Sequence, residues 1–266
     1  MKIIVCVKQV PDTSGVVAVK EDGTMDRSKM PAITNHDDLA AVEAALKIKD
    51  ANGCKVVVVS MGPPPAEGML RELLAMGADE AYLVSAREFG GSDTYATSQI
   101  IAGAIDHIGV EKDDIILCGR QAIDGDTAQV GPQIAEKLHL PQITYAADIK
   151  VENGEVTVKR LLEDGYMLLR AHTPCLVTCV KELNTPRYMS VPGIMDCYSK
   201  PLTVLDYNAL KDNPLIDDDT IGLKGSPTNV YKSFSPPVKG AGMMIDGSAK
   251  EAANKLVSIL AEKHVI

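Results

Sequence analysis

The chain has 266 residues and a formal charge of -9, with 27 Lys and Arg against 36 Asp and Glu, and 45% of its residues are hydrophobic. That length buries a full core and suits one large domain or a domain with an appendage. The acidic balance argues against nucleic acid, whose phosphates reward Lys and Arg, and no apolar run approaches the roughly 20 residues of a membrane span.

The opening run MKIIVCVKQVPD has no small-residue cleavage site, so residues 2–9 read as a first strand and not as a signal peptide. Residues 16–26, VVAVKEDGTMD, read as a hairpin turning at Asp22-Gly23. Asn35 with Asp38 three residues on is a variant capping box, opening a helix with Leu39, Val42, Ala45 and Leu46 on its buried stripe and Gly53 at its end. KVVVVS at 55–60 is a second buried strand, and a helix starting near Pro65 carries Met69, Leu70, Leu73 and Leu74 as far as Gly77. Residues 80–85 make a third strand, and Ser92-Asp93 start a helix with Ile100, Ile101, Ala104, Ile105 and Ile108 inward. Ile115-Ile116-Leu117 is a fourth strand, followed by a glycine-bearing loop and a helix from near Gln129. Pro132 fits that helix only in its first turn.

Strands alternating with helices demand a parallel sheet with helices on both faces. Ligands of such sheets bind beyond the carboxyl ends of the strands, where strand order reverses. Cys6 to Val10, Met61 with Gly62, and Gly119 to Gln129 therefore surround one crevice. The strand, loop and helix start of 113–138 aim backbone N–H groups and a helix dipole at one point, where phosphate or pyrophosphate is the usual guest. The GxxxxGK[ST] spacing is absent, and Asp124 and Asp126 would repel a triphosphate. A pyrophosphate held by N–H groups, Thr127 and Gln129 remains.

After Pro141, residues 143–151, 155–162, 166–171 and 175–181 read as four successive antiparallel strands, with turns at Asn153-Gly154 and Asp164-Gly165. Residues 183–201, LNTPRYMSVPGIMDCYSKP, are too rich in Pro and Gly to pack regularly, yet carry Tyr188, Met189, Val191, Ile194 and Met195. Such a loop lies under something or waits for a partner. Asp217 to Gly247 is polar with little to pack, and Ser248 to Lys263 form an amphipathic helix, an arm suited to another surface. The expected division is residues 1–216, a nucleotide-binding α/β domain, and residues 217–266, the arm. The six cysteines, at 6, 54, 118, 175, 179 and 197, read as reduced, buried thiols of a cytoplasmic protein, and neither they nor the five His have metal-ligand spacing. No catalytic motif is recognisable. Ser60 to Pro64 stands where adenylating pyrophosphatases of similar strand order carry SGGxDS, without its second Gly, its Asp or its final Ser. A binding module thus comes ahead of an enzyme, with an adenine-nucleotide hydrolase or transferase as the alternative.

VKQVPD at 7–12, NHDDLAAVEAAL at 35–46, VVSMGP at 58–63, AMGAD at 75–79, GRQAIDGDTAQVGPQIAEKL at 119–138 and LNTPRYMSVPGIM at 183–195 resemble, in order, the electron-transfer flavoprotein β subunit. The resemblance implies an adenine nucleotide hydrolase-like α/β fold: a doubly wound, mainly parallel sheet with an antiparallel extension and an arm ending in a helix that docks on an FAD-carrying α subunit. It implies that Cys6, Asn35, His36, Asp37, Asp38, Met61 and the block from Asp124 to Ala135 surround a nucleotide. That block includes Gly125, Asp126, Thr127, Ala128, Gln129, Val130 and Gly131, with Gly119 and Gln121 just before it. It makes 183–201 the loop that meets acyl-CoA dehydrogenases, with Val191 where a leucine is usual. VPDT at 10–13 and Asp38 resemble the branch that bifurcates electrons. There the β subunit carries a second FAD in place of AMP, takes a hydride from NADH and splits the pair between ferredoxin or flavodoxin and an acyl-CoA dehydrogenase. FAD is the favoured cofactor and structural AMP the alternative, since both offer adenosine and phosphates to the same N–H groups. On the FAD reading Thr94 and Thr97 reach the flavin.

Overall fold

The computed structural model describes residues 1–12, 31–231 and 240–266; the hairpin expected at 16–26 and Thr13 lie outside them. β1 (Lys2–Cys6) alternates its side chains between two cores, Ile3 and Val5 on one side, Ile4 and Cys6 on the other. The strand expected over 2–9 is divided. Beyond Cys6 the chain leaves the sheet, and β2 (Gln9–Pro11) pairs antiparallel with β3 (Ala32–Thr34) as a separate ribbon.

The alternating elements follow as the patterns indicate: α1 (His36–Asn52), β4 (Lys55–Met61), α2 (Ala66–Met76), β5 (Glu80–Val84), α3 (Thr94–Ile108), β6 (Ile115–Gly119) and α4 (Val130–Lys137). Gly53 ends α1 in the left-handed region at φ 69°, its N–H donating to the Lys49 carbonyl at 2.7 Å. α1 and α2 bury Val42, Leu46, Leu70 and Leu73 on one face of the sheet, and α3 and α4 bury Ile100, Ile105 and Ile134 on the other.

One expectation is corrected here. β7 (Gln142–Glu152), β8 (Glu155–Leu161) and β9 (Tyr166–His172) do run antiparallel, but β10 (Cys175–Cys179) does not continue them. It inserts between β6 and β7, parallel to both. All five of its residues are buried, the signature of a central parallel strand covered on both faces, whereas β9 is an exposed edge. With β11 (Leu202–Leu205) at the far edge, the sheet has the order β11-β5-β4-β1-β6-β10-β7-β8-β9. The chain winds outward from β1 through β4 to β5, then crosses to β6 on the other side of β1. Strand order therefore reverses between β1 and β6.

The loop expected over 183–201 contains a short helix, α5 (Val191–Asp196), whose Gly193 N–H donates to the Ser190 hydroxyl at 3.0 Å. After α6 (Tyr207–Leu210), the polar run from Asp217 packs more than its composition indicates. Ile221 is buried in the α3 and α4 core, and the Ser226 hydroxyl accepts the Asp93 N–H at 2.8 Å. Turns satisfy that backbone locally, so a single aliphatic side chain suffices to anchor it. From residue 240 the chain has no regular secondary structure until α7 (Ala249–Glu262), which opens with a Ser248–Glu251 capping box and buries none of its residues. Among the described residues no helix is long and apolar enough to cross a membrane.

Candidate functional site

A cavity of about 420 Å³ opens beyond the carboxyl ends of β1 and β6, at the reversal of strand order. Cys6, Cys118 and Gly119 line it from the strand ends, and Met61, Phe89, Ile101 and Ile134 supply apolar wall. Its remaining sides are the start of α3 and the loop leading into α4.

That loop is shaped for an anion. Asp126 and Ala128 have positive φ, 50° and 52°, while Gln129 is right-handed at φ -106°, ψ -33°. Alternating hands turn successive N–H groups toward one side, forming an anion-binding concavity. Among the described residues the N–H groups of Thr127 to Gly131 meet no hydrogen-bond acceptor. Val130 and Gly131 also open α4, where amides are unsatisfied and the dipole is positive. Pro132 lies in the first turn, where a missing N–H costs nothing. Gly131 permits the close seat of α4 on the sheet: a Cβ there would fall 2.7 Å from Cys118 Sγ and 2.8 Å from Thr178 Cγ2.

Side chains hold the loop in place. Asn35 donates through Nδ2 to the Gln121 carbonyl at 2.7 Å and accepts the Ile123 N–H at 3.2 Å. Lys8 Nζ donates to both Asp124 oxygens, at 2.7 and 2.9 Å, and Gln121 Nε2 donates to Asp126 Oδ1 at 2.8 Å. Thr94 Oγ1 donates to Gln129 Oε1 at 2.9 Å, joining the starts of α3 and α4. Under the cavity, the buried Asp38 carboxylate accepts the Lys8 N–H at 2.8 Å and the Gly119 N–H at 2.9 Å. Burial pushes its carboxyl up to about 7, against the N–H bonds that favour the charged form. Burial also pushes the Cys6 thiol up to about 12, aided by Asp38, and likewise raises the Cys118 thiol well above its ordinary value. These thiols are neutral wall and not nucleophiles.

The structure brings Cys6, Asp38, Met61, Thr94, Thr97, Gly119, Gln121, Gly125 and Thr127 to Gly131 together around the cavity. Five other expected residues do not line it. Asn35 does stand at the N-cap of α1, but its side chain makes no capping bond and spans instead to the 121–123 backbone. His36 is exposed at the first position of α1. Asp37 accepts the Lys181 N–H at 3.2 Å and lies 3.3 Å from Arg120 Nε. Asp124 pairs with Lys8, which offsets its charge, and Asp126 accepts from the neutral Gln121 amide. Sequence reasoning missed Phe89, Gly91, Ser92 and Ile101, although Gly90-Gly91 before the start of α3 repeats the pattern of strand, glycine loop and helix seen at 119–130.

A second feature lies elsewhere on the surface. Tyr188, Met189, Val191, Ile194 and Met195 are all exposed, Tyr188 by 97% and Met195 by 78%, forming an apolar patch on the 183–201 segment.

Comparison with known proteins gives a consistent picture. The electron transfer flavoprotein domain matches residues 22–210. Over the whole of both chains the sequence is 65% identical to the acryloyl-CoA reductase electron transfer subunit gamma of Anaerotignum propionicum. It is 55% identical, again over both full lengths, to the caffeyl-CoA reductase-Etf complex subunit CarD of Acetobacterium woodii. An electron transfer flavoprotein subunit beta from Thermoanaerobacterium thermosaccharolyticum is 48% identical over the full length of both.

Proposed function

This chain belongs to the electron transfer flavoprotein family, in its β-subunit branch, and from that membership we propose that its cavity holds FAD, accepts reducing equivalents from NADH and bifurcates them. One electron goes to ferredoxin or flavodoxin. The other passes through the FAD of an α subunit to an acyl-CoA dehydrogenase. The unsatisfied amides of Thr127 to Gly131 carry this reading, because they converge at the strand-order reversal beside apolar walls.

A bound flavin supplies hydride acceptance and one-electron release; the chain supplies position and electrostatics. The amides and the positive end of α4 would hold the diphosphate, and Met61, Phe89, Ile101 and Ile134 would keep water from the apolar part of the ligand. Thr94 and Thr97, at the start of α3, are placed to reach the flavin end of a ligand longer than AMP. Residues 217–266 are the arm, with α7 as the element that meets the α subunit. The buried thiols suit a reducing cytoplasm.

Counting flavins in the purified αβ complex tests the assignment. Two per complex, with bleaching of both by NADH under anaerobic conditions, is the expected result. One flavin together with bound AMP would replace this reading with structural AMP, and ATP turnover without any flavin would favour a hydrolase. Docking offers a separate prediction. Val191 is 72% exposed in the apolar patch, and Val191→Leu adds one methylene of about 0.8 kcal/mol. Affinity for the acyl-CoA dehydrogenase should rise about fourfold in a titration, while an unchanged affinity would show that docking does not bury this position.

A further inference from the structure

Taking the apolar patch as the docking surface, we propose that Arg187 with Glu43 are the positioning residues that keep it ordered and so set how well it engages the dehydrogenase. The inference rests on the docking role given above to the 183–201 segment. Arg187 donates to Glu43 Oε2 from its backbone N–H at 3.0 Å and from Nε at 2.9 Å, and to Oε1 from Nη2 at 3.1 Å. The same Nη2 also donates to Asp50 Oδ2 at 2.8 Å. Glu43 is only 3% exposed, in the middle of α1, where its immediate buried neighbours from Ala40 to Ile48 are all aliphatic. Burying a carboxylate costs more than burying an apolar side chain of similar size, so fold stability alone does not call for it. What Glu43 provides is a fixed point for one arginine of the loop.

Other contacts clamp the same segment without using the apolar side chains of the patch. Before the patch, Asn184 Nδ2 donates to the Ala40 carbonyl at 2.9 Å. After it, Arg71 Nη1 donates to the Cys197 and Lys200 carbonyls at 3.0 and 3.1 Å. Lys200 Nζ donates to the Leu74 and Ala78 carbonyls at 2.8 and 2.7 Å. In the middle, a Cβ on Gly193 would lie 2.1 Å from the Ala75 carbonyl oxygen, so the backbone of α5 rests directly on α2. Charged groups and backbone, together with Leu183 and the buried Cys197 against the core, hold the segment on α1 and α2, leaving Tyr188, Val191 and Met195 facing solvent. A surface already ordered does not lose that freedom again on binding, which favours association.

The test uses the complete αβ complex, chemically reduced and then reoxidised by increasing concentrations of the acyl-CoA dehydrogenase. Arg187→Ala is expected to raise the half-saturating dehydrogenase concentration about tenfold, with the limiting rate, flavin content and reoxidation by a small dye unchanged. Arg187→Lys keeps a charge but not the fork and should fall between. Asp50→Asn weakens only an exposed partner, cannot unfold the domain, and should give a two- to threefold rise by the same argument. Met195→Glu serves as the reference that damages the patch directly. An unchanged half-saturation in Arg187→Lys and Asp50→Asn, while Met195→Glu raises it, would overturn the positioning role. If Met195→Glu itself leaves it unchanged, the docking role fails instead.

Discussion

A Gly131→Ala variant should purify with the β-site cofactor largely lost, its affinity lower by about a hundredfold. The added Cβ would stand 2.7 Å from Cys118 Sγ and 2.8 Å from Thr178 Cγ2. Both neighbours are buried on adjacent strands of the sheet, and Thr178 is β-branched with its hydroxyl engaged by the Tyr145 N–H at 3.1 Å. Neither yields readily, so the first turn of α4 has to lift, carrying with it the amides of Thr127 to Gly131. Overpacking of this kind costs about 1–3 kcal/mol of stability, and a shifted cradle loses several N–H contacts to the ligand at once. Cofactor content after dialysis, with a denaturant midpoint on the same sample, separates the two effects. Adding Cys118→Ala and Thr178→Ser to the variant clears the space while keeping the hydroxyl, and should restore binding. Full cofactor retention in Gly131→Ala alone would show that α4 does not form the cradle.

Asp38 gives the second large effect, as a dependence of stability on pH. Burial raises its folded-state value from the ordinary 3.8 to about 7. Between those values the folded protein keeps a proton that the unfolded chain releases, so folding is favoured at the acidic end. The contribution is fully present below about pH 4, declines as pH rises to about 7, and is constant above that. About three pH units at about 1.4 kcal/mol each set an upper limit near 4 kcal/mol. Urea unfolding at about pH 4.5, 6 and 8 should show the difference between wild type and Asp38→Asn changing steadily with pH. The asparagine does not titrate and also supplies an acceptor for only one of the Lys8 and Gly119 N–H groups, which adds an offset independent of pH. Parallel stability curves for the two proteins would mean that Asp38 stays ionised throughout.

Much of the site was legible because it is built from short-range patterns. The run Ile115 to Leu117, the glycine-bearing loop and the apolar spacing from Val130 each announce themselves within a few residues, and together they locate the amide cradle. Thr94 and Thr97 are near the cavity for the same reason, at the start of a helix that a capping Asp93 makes visible. Asn35 occupies the expected N-cap position, but its side chain reaches a distant loop, because a side chain that caps and one that reaches elsewhere look alike in sequence. The contact that decides, with the backbone of Gln121 and Ile123, spans more than eighty residues.

Alternation of apolar runs with helical spacing determined by itself that the chain folds as a doubly wound sheet, and that a cavity opens past β1 and β6. These are local consequences of burial on one or two faces. Only the tertiary structure decided where β10 goes, since a strand buried on both faces needs a neighbour on each side, and no local pattern names those neighbours. Only it showed that Asp38 ties Lys8, just past β1, to Gly119 at the end of β6, and that Glu43 holds Arg187 across 144 residues. A buried carboxylate is tolerated where particular N–H groups meet it, and that meeting is a property of the folded chain alone.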